Sequence, residues 1–318
     1  MASHDISKPY FPGFTRKSVS FTIDDGVFEM DKKFISIIAP FGIKGTFNLC
    51  SNRYERMDTK AVLELYRGYE IANHCKYHPY YLLPEQEAYI SDTLFDEASA
   101  DPEKIYPSKV EGLYYRHLPK GWRTCAKASD YLRFAREGER ELEEIFGEGS
   151  VKGFVWPFGK QSSDEIYEGL IRDGNRTLRN GKSIYGTTGY AIADDLTNWC
   201  FNTMSDNLAR EIPLYEAYPD DGELKFFCLG GHSIDFERGG NFSDLELFAR
   251  TFGNKPEEYY TAGVDEIFNY SLAAKRLTVT EGYIDNPSDF DIYIKVDGER
   301  MIVRAHTRLD LESNKLIF

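Results

Sequence analysis

The chain has 318 residues, of which 42% are hydrophobic and 28% charged, a composition typical of a globular protein with a substantial core. Its formal net charge of −14 is spread along the sequence, which excludes the basic surface that nucleic acids and anionic membranes require. No apolar run approaches the roughly 20 residues of a membrane span, and no signal peptide is visible, so we expect a cytoplasmic protein unless a signal was removed.

Strand-like and helix-like segments alternate from the start of the chain. Short apolar or β-branched runs that end in turn residues predict strands over residues 17–23, 43–49, 70–73, 153–156 and 224–229. Apolar residues at helical spacing predict helices over residues 28–41, 59–66, 131–146, 163–172, 244–252 and 264–276. This alternation implies parallel strands with helical crossovers, so we expect residues 1–276 to form one α/β domain.

Two parts of the chain depart from the alternation. Residues 80–129 are polar and aromatic with mixed signals, and we predict an insertion with one or two helices. His117 lies within it and is expected to be exposed to solvent. From residue 277 to residue 318 we predict a small C-terminal β appendage, with strands over 277–283, 291–296 and 301–305 and a hairpin turn at Asp297-Gly298.

Histidine and aspartate residues follow several predicted strands, at the edge where the carboxyl ends of parallel strands collect reactive groups. His74 and His78 are four residues apart, so their imidazoles lie on one side of a helical or turn-like segment. Alone this spacing is a weak signal, because two ordinary surface histidines are commoner. Asp25 follows an equivalent strand, and two histidines with one carboxylate form a metal site that leaves positions open for water and substrate.

Asp24 and His232 are candidates for proton transfer. The triplet Asp-Asp-Gly at 24–26 is also typical of a simple turn. If Asp25 binds a cation, its neighbour Asp24 lies beside the water that the cation activates and is placed to accept a proton. A lone histidine after a strand is usually structural, but His232 follows two glycines at a strand end, which favours exposure to a cleft and a role as the acid for a leaving amine.

Five segments combine these residues into a recognisable ordered set: FTIDDG at 21–26, IKGTF at 43–47, EIANHCKYHP at 70–79, FVWPFG at 154–159 and LGGHS at 229–233. Any one of them is a modest signal, but the set in this order is specific. It resembles the polysaccharide deacetylase (NodB-homology) family, of the carbohydrate esterase type. The resemblance covers about residues 17 to 275.

The resemblance implies a distorted (β/α) barrel that removes acetyl groups, with N-acetyl favoured over O-acetyl, from a poly- or oligosaccharide. Carried over position by position, the family's roles fall on six residues: Asp24 as general base, His232 as general acid, Asp25, His74 and His78 as metal ligands, and the backbone N–H of Phe158 as a donor to the oxyanion. The implied cofactor is a divalent metal, zinc before cobalt, nickel or iron(II). The implied partner is a carbohydrate, and the oligomeric state is left open.

The third motif departs from the family pattern. Val155 stands where the family usually has an arginine that pairs with the catalytic aspartate. Arg176 or Arg179 is a candidate to supply that guanidinium from another loop. Arg179, Trp156 and Trp199 are also predicted to contribute to substrate binding, although core positions explain the two tryptophans equally well.

Three other functions remain open from the sequence. A hydrolase of the same architecture that acts on a small cyclic amide is favoured by the missing arginine, but such branches tend to lose metal ligands that this chain keeps. An inactive carbohydrate-binding relative would not need Asp24 and His232. An iron oxygenase also uses two histidines and one carboxylate, but it fits the strand–helix alternation and those two residues less well.

Overall fold

The computed structural model describes residues 4–96, 98, 100–116, 122–181, 189–312 and the backbone of 315–317, so His117 lies outside the described residues. The strands of this part are β1 Lys17–Asp25, β2 Thr46–Leu49, β3 Glu70–Asn73, β4 Tyr80–Tyr81, β5 Ile105–Pro107, β6 Tyr114–Arg116, β7 Trp122–Cys125, β8 Val151–Val155, β9 Leu178–Arg179, β10 Lys225–His232, β11 Tyr259–Thr261, β12 Thr278–Val279, β13 Tyr283–Asn286, β14 Ile292–Val296, β15 Glu299–Val303, β16 Thr307–Asp310 and β17 Lys315–Ile317.

The helices fall mainly between the strands of the first 276 residues. The α-helices are α1 Phe28–Ile38, α2 Thr59–Leu65, α3 Ala128–Phe146, α4 Asp164–Arg172, α5 Leu208–Glu216, α6 Ser233–Gly239, α7 Phe242–Phe252 and α8 Val264–Lys275. Short 3-10 helices are Pro12–Phe14, Ala39–Phe41, Ser51–Arg53, Pro84–Tyr89 and Pro157–Gly159. Among the described residues, no helix combines the length and apolar character needed to cross a bilayer.

The centre of the fold is a curled parallel sheet. Its strands run in the order β10-β1-β2-β3-β8-β9, and β11 also pairs with β1. Both edge strands bridge to the irregular segment 199–203, because Arg179 of β9 pairs with Trp199 and Leu229 of β10 pairs with Thr203. This segment connects the two edges, and the expected distorted (β/α) barrel is confirmed.

The sequence of β1 explains which side chains face each side of this sheet. Phe21 and Ile23 are fully buried in the main hydrophobic core, which includes residues of α1 and α7. Their neighbours in β1 are polar, since side chains of a strand alternate between faces. The amide nitrogen of Asn48 lies 2.7 Å from both the hydroxyl of Thr22 and a carboxylate oxygen of Asp24, which places these groups together on the polar inner face.

The predicted insertion is built from strands. Its described residues form a four-stranded sheet in the order β4-β7-β6-β5, together with the 3-10 helix Pro84–Tyr89. Of the one or two helices predicted there, the described residues contain this 3-10 helix, and the four strands were not predicted. Tyrosines that pair across strands, such as Tyr106 with Tyr115, stabilise a sheet, and this cross-strand contact is invisible to a search for local helical spacing.

The C-terminal strands are antiparallel. They form a sheet in the order β12-β13-β16-β17 and a β14-β15 hairpin, whose turn residues Asp297 and Gly298 both have positive φ, as the hairpin prediction requires. The single strand predicted over 277–283 is instead two short strands. Because these strands share one hydrophobic core with Ile267 and Phe268 of α8, the domain boundary at residue 276 stays a prediction.

Candidate metal centre and catalytic cleft

Three metal-ligating side chains meet at the carboxyl end of the barrel. Oδ1 of Asp25 lies 3.6 Å from Nε2 of His74 and 3.6 Å from Nε2 of His78. The ligand atoms of the three residues all lie within 4.8 Å of one another, and they come from the last residue of β1 and from the loop after β3. The structure therefore brings together the side chains that the sequence singled out for a metal.

The hydrogen bonding of this group fits a bound cation. Oδ1 of Asp25 and Nε2 of His74 are buried and have no hydrogen-bond partner among the described residues. A buried polar atom without a partner costs about 1–3 kcal/mol, so two such atoms facing each other need a compensating ligand. A divalent cation between them would satisfy both, and the donor set of two imidazoles and one carboxylate suits zinc.

Neighbouring groups keep both imidazoles in the state that binds metal. Nδ1 of His74 lies 2.8 Å from the carbonyl of Val155 and donates its proton there, which leaves the Nε2 lone pair for a cation. Burial lowers the pKa of His74. Burial and the neighbouring His74 lower the pKa of His78 to about 3. Both rings are therefore neutral at neutral pH, as ligation requires.

Unusual backbone conformations concentrate at this centre. Asp25, Cys75, His78 and Phe158 all have positive φ, at 79°, 64°, 51° and 61°. Such values are uncommon for residues other than glycine, and they persist only where the surrounding structure enforces them. The loops after β1, β3 and β8 are thus held in conformations that orient the site.

Asp24, next to Asp25 on β1, forms a buried ion pair with Arg179. Nη2 of Arg179 donates to both carboxylate oxygens of Asp24, and Asn48 donates to one of them at 2.7 Å. Burial alone would raise the pKa of Asp24, but the charge of Arg179 and of the nearby histidines outweighs it, and the net effect is a lowered pKa. The carboxylate is therefore ionised at neutral pH.

Arg179 explains how the chain compensates for the valine in its third motif. Val155 on β8 and Arg179 on β9 are paired residues in neighbouring parallel strands. The guanidinium of Arg179, on the strand next to Val155, thus reaches Asp24, the aspartate with which the family's arginine is expected to pair. Of the two arginines considered from the sequence, Arg176 is exposed and Arg179 is the partner. The prediction that Arg179 binds substrate was wrong, because its side chain is only 1% exposed and pairs with Asp24.

His232 lies directly beside Asp24. The two are register partners on the paired strands β10 and β1. Burial would lower the pKa of His232, but a hydrogen bond of 2.8 Å from its Nδ1 to Asp235 and the charges of Asp24 and Asp25 raise it to about 9. His232 is therefore protonated at neutral pH, with about a third of its side chain exposed.

A buried network under the site joins the loops after β1 and β10. Asp31 of α1 accepts hydrogen bonds from Ser233, which follows His232, and from Tyr66. Tyr66 contacts the hydroxyl of Tyr54, which donates to the carbonyl of Gly26. Burial raises the pKa of Asp31 to about 7. Sequence patterns gave no signal for this network, because its members are far apart along the chain.

The two tryptophans predicted for the substrate pocket lie in the core. Trp156 is 1% exposed and packs with Phe154 and Tyr131, and Trp199 is 4% exposed and packs with Phe268. Neither reaches the cleft, so their assignment to substrate binding was wrong. The physical reason is that each follows or bridges a barrel strand, where large side chains fill the space between sheet and helices.

A cleft of about 480 Å³ opens beside the metal centre, within the size range of small-molecule sites. Its described lining is Asp25, Cys50, Asn52, Arg53, Tyr77, His78, Tyr115, Trp122, Arg123 and Phe158. The ring of Phe158 contacts both His78 and Trp122, with centroids 4.6 and 4.7 Å apart. Trp122 and Arg123 were missed from the sequence, and the one available signal was the aromatic richness of the insertion.

Comparison with known proteins identifies the first half of the barrel. Residues 12–169 match the family model of polysaccharide deacetylase. The matched segment contains Asp24, Asp25, His74 and His78, whereas His232 lies beyond it. No curated relative matches the chain in sequence.

Solved structures of this family are similar to the chain at low identity. A carbohydrate esterase family 4 (CE4) esterase from Streptococcus mutans is 13% identical, with a TM-score of 0.46, over 78% of this chain and 86% of that one. The peptidoglycan deacetylase PdaC from Bacillus subtilis is 11% identical, with a TM-score of 0.44, over 80% and 90%. A mutant of a CE4 pseudoenzyme is 13% identical, with a TM-score of 0.39, over 79% and 67%. At these scores the similarity assigns no activity.

Proposed function

We propose that the protein is a metal-dependent hydrolase that removes acetyl groups, N-acetyl before O-acetyl, from a carbohydrate, since residues 12–169 match the family model of polysaccharide deacetylase. One observation carries the proposal. Within the part of the chain that the structure describes, two buried ligand atoms without a hydrogen-bond partner, on Asp25 and His74, lie 3.6 Å apart beside an ionised carboxylate and a protonated imidazole. This combination suits hydrolysis of an acyl bond, which needs an activated water, a base and an acid.

The proposed cofactor is a divalent cation, zinc first, held by Asp25, His74 and His78. When bound, such a cation polarises an acyl carbonyl and lowers the pKa of water beside it. The two histidines and the carboxylate would hold the cation through three ligand atoms, as in catalytic sites that keep a position for water or substrate. The choice among zinc, cobalt, nickel and iron rests on this donor chemistry alone.

Asp24 and His232 divide the proton transfers between them. Asp24 is ionised and accepts the proton of the attacking water, and Arg179 holds it in place. His232 is protonated and donates to the departing nitrogen or oxygen. Two neighbouring groups whose pKa values are displaced in opposite directions are the usual arrangement for a base and an acid in one site. The two stand on adjacent paired strands, so both reach the same acyl group.

Phe158 is proposed to supply a backbone donor. Its N–H would donate to the oxyanion that forms when water attacks the carbonyl. Loss of one such donor in other hydrolases costs roughly 3–4 kcal/mol of transition-state stabilisation. The positive φ of Phe158 and the position of its ring against His78 place this peptide at the edge of the cleft.

The test is acetate release from N-acetylated and O-acetylated oligosaccharides by the metal-loaded protein and by Asp24→Asn. We expect the native protein to release acetate. Asp24→Asn should keep its metal content and lose turnover by at least ~10²-fold, since a general base contributes that much. Asp194→Asn is the matched control, because Asp194 is 94% exposed in an ion pair with Lys275.

Other outcomes separate the alternatives. Hydrolysis of small cyclic amides without acetate release would replace the proposal with an amidase of the same fold. Glycan binding without any hydrolysis would replace it with an inactive relative. Oxygen consumption by the iron-loaded protein would replace it with an oxygenase. Near-normal turnover of Asp24→Asn would remove Asp24 from the mechanism.

A further inference from the structure

The cleft beside the metal centre has a charge opposite to that of the whole protein. Acidic residues outnumber Lys and Arg by 52 to 38 along the chain. In the described lining of the cleft, two arginines, Arg53 and Arg123, face one acidic residue, Asp25. That aspartate is also a proposed metal ligand. A cleft that concentrates positive charge on an acidic protein attracts and retains anionic ligands.

Arg123 is held at the cleft by neutral groups. Asn52, oriented so that its amide nitrogen donates to the carbonyl of Lys76, accepts a hydrogen bond of 2.7 Å from Nη1 of Arg123. The guanidinium also lies 5.6 Å from the ring centroid of Tyr77. In the described part of the chain Arg123 makes no ion pair, so its charge is positioned without being neutralised.

Arg53 extends this positive surface towards the metal centre. Its Nη2 lies 3.2 Å from Oδ2 of Asp25, and 40% of its side chain is exposed. The ion pair involves the carboxylate oxygen that does not face the two histidines. A guanidinium has five donors in a planar fork, so one contact with Asp25 leaves most of them for a second anion.

We propose, building on the proposed deacetylase function, that the substrate is an anionic glycan whose carboxylate or phosphate binds Arg123 and Arg53 while its acetylated sugar lies at the metal centre. Arginine recognises both anions through paired hydrogen bonds. The partly exposed ring of Trp122 and the exposed ring of Phe158 provide apolar surface for the sugar between these points. A neutral glycan would leave Arg123 partly desolvated without an anionic partner, so a neutral glycan should bind less tightly.

The experiment compares three matched disaccharides in which N-acetylglucosamine is linked to glucose, to glucuronic acid or to glucose 6-phosphate. We expect kcat/KM to be at least about 10-fold higher for an anionic disaccharide than for the neutral one, as expected for a hydrogen-bonded charge pair. The difference should lie in KM and should shrink as salt is raised, because salt screens the attraction. The larger of the two anionic preferences identifies the carboxylate or the phosphate as the group recognised.

Substitutions at Arg123 test whether this residue recognises the anionic group of the substrate. Arg123→Gln should lower the anionic preference to near one, and Arg123→Lys, which keeps the charge without the planar fork, should restore part of it. Arg250→Gln removes one positive charge from an exposed position on α7 and should keep the native preference. A merely structural role for Arg123 would change kcat/KM equally for all three disaccharides.

Failure of this proposal differs from failure of the deacetylase proposal. Equal kcat/KM for neutral and anionic disaccharides, or a preference that survives Arg123→Gln, overturns the anionic-glycan proposal and leaves deacetylation standing. If no acetate is released, calorimetry measures the binding of the deacetylated glucuronic-acid disaccharide to the metal-free protein and tests the arginine site by itself. Binding at least about 10-fold tighter than that of the neutral disaccharide and lost in Arg123→Gln supports the arginine site, and equal binding overturns it.

Discussion

Two regions meet at the cleft and are built differently. The barrel rim, defined as Asp24, Asp25, His74, His78 and His232, lies at the carboxyl ends of the parallel strands β1, β3 and β10. Its side chains are oriented by the buried residues Arg179 and Val155 and by the partly exposed Asp235. The cleft wall, defined as Tyr115, Trp122, Arg123 and Phe158, is partly exposed and comes largely from the short strands of the insertion. We propose that the rim carries out the chemistry and that the wall selects the substrate.

The rim should respond to substitution with large losses. His74→Ala removes one proposed metal ligand and exposes the cation site, so we expect metal content and acetate release to be lost together. Metal analysis of the purified variant beside the activity assay measures both. His306→Ala, at a 63% exposed histidine of the C-terminal region, should change neither. Full activity in a metal-free His74→Ala variant would show that activity does not need a metal at the rim.

The ion pair below the rim should matter for stability. Arg179→Met leaves Asp24 buried without its cation, and breaking a buried pair in this way typically costs about 3–5 kcal/mol in the free energy of unfolding. The pKa of Asp24 should also rise, because burial is no longer opposed. Urea denaturation measures the first effect, and the acid limb of the activity profile measures the second.

The control for this pair is Arg172→Met, at an arginine whose side chain is 69% exposed. It should change the free energy of unfolding by less than about 0.5 kcal/mol. A loss of similar size in both variants would contradict the special position of Arg179. Arg179→Lys should give an intermediate loss, because a lysine keeps the charge but not the fork.

His232, the proposed acid of the rim, should make activity depend on pH. The pKa of His232 is raised to about 9 from an ordinary value of 6.5, so its proton and its ion pair with Asp235 are present below pH 6.5 and are lost as pH rises through about 9. Activity that needs the protonated ring should fall over the same range. Asp235→Asn weakens that pair, and the basic limb of kcat/KM should move to lower pH. An unchanged limb would exclude His232 as the acid.

The wall should respond with the smallest effect. Trp122→Ala removes an aromatic surface from the cleft, and the loss of about 0.5–1.5 kcal/mol corresponds to a rise in KM of about 2- to 10-fold. The change in kcat should be smaller than the change in KM, since Trp122 lines the cleft and is not one of the proposed proton-transfer groups. Trp122→Phe keeps a ring and should recover most of the native KM. A loss mainly in kcat would place Trp122 with the rim.

Most of the rim was predictable because its residues occupy strand ends. The regular alternation of strands and helices indicates a parallel sheet, and polar residues after its strands meet at one edge. His74 and His78 are close in sequence, and Asp24 and Asp25 are adjacent, so local spacing already groups them. The wall was not predictable, because Trp122 and Arg123 reach the cleft through cross-strand pairing in a sheet that local patterns suggested would be helical.

The sequence by itself predicted the alternating fold, the residues of the proposed metal site and the positions of Asp24 and His232 at two strand ends. Only the tertiary structure decided that Arg179 replaces the missing arginine, because the substitute lies on a neighbouring strand 24 positions away from Val155. It also decided that Trp156 and Trp199 are core residues. The physical reason is that burial and ion pairing depend on which strands lie side by side, and strand neighbours are set by the packing of the whole barrel.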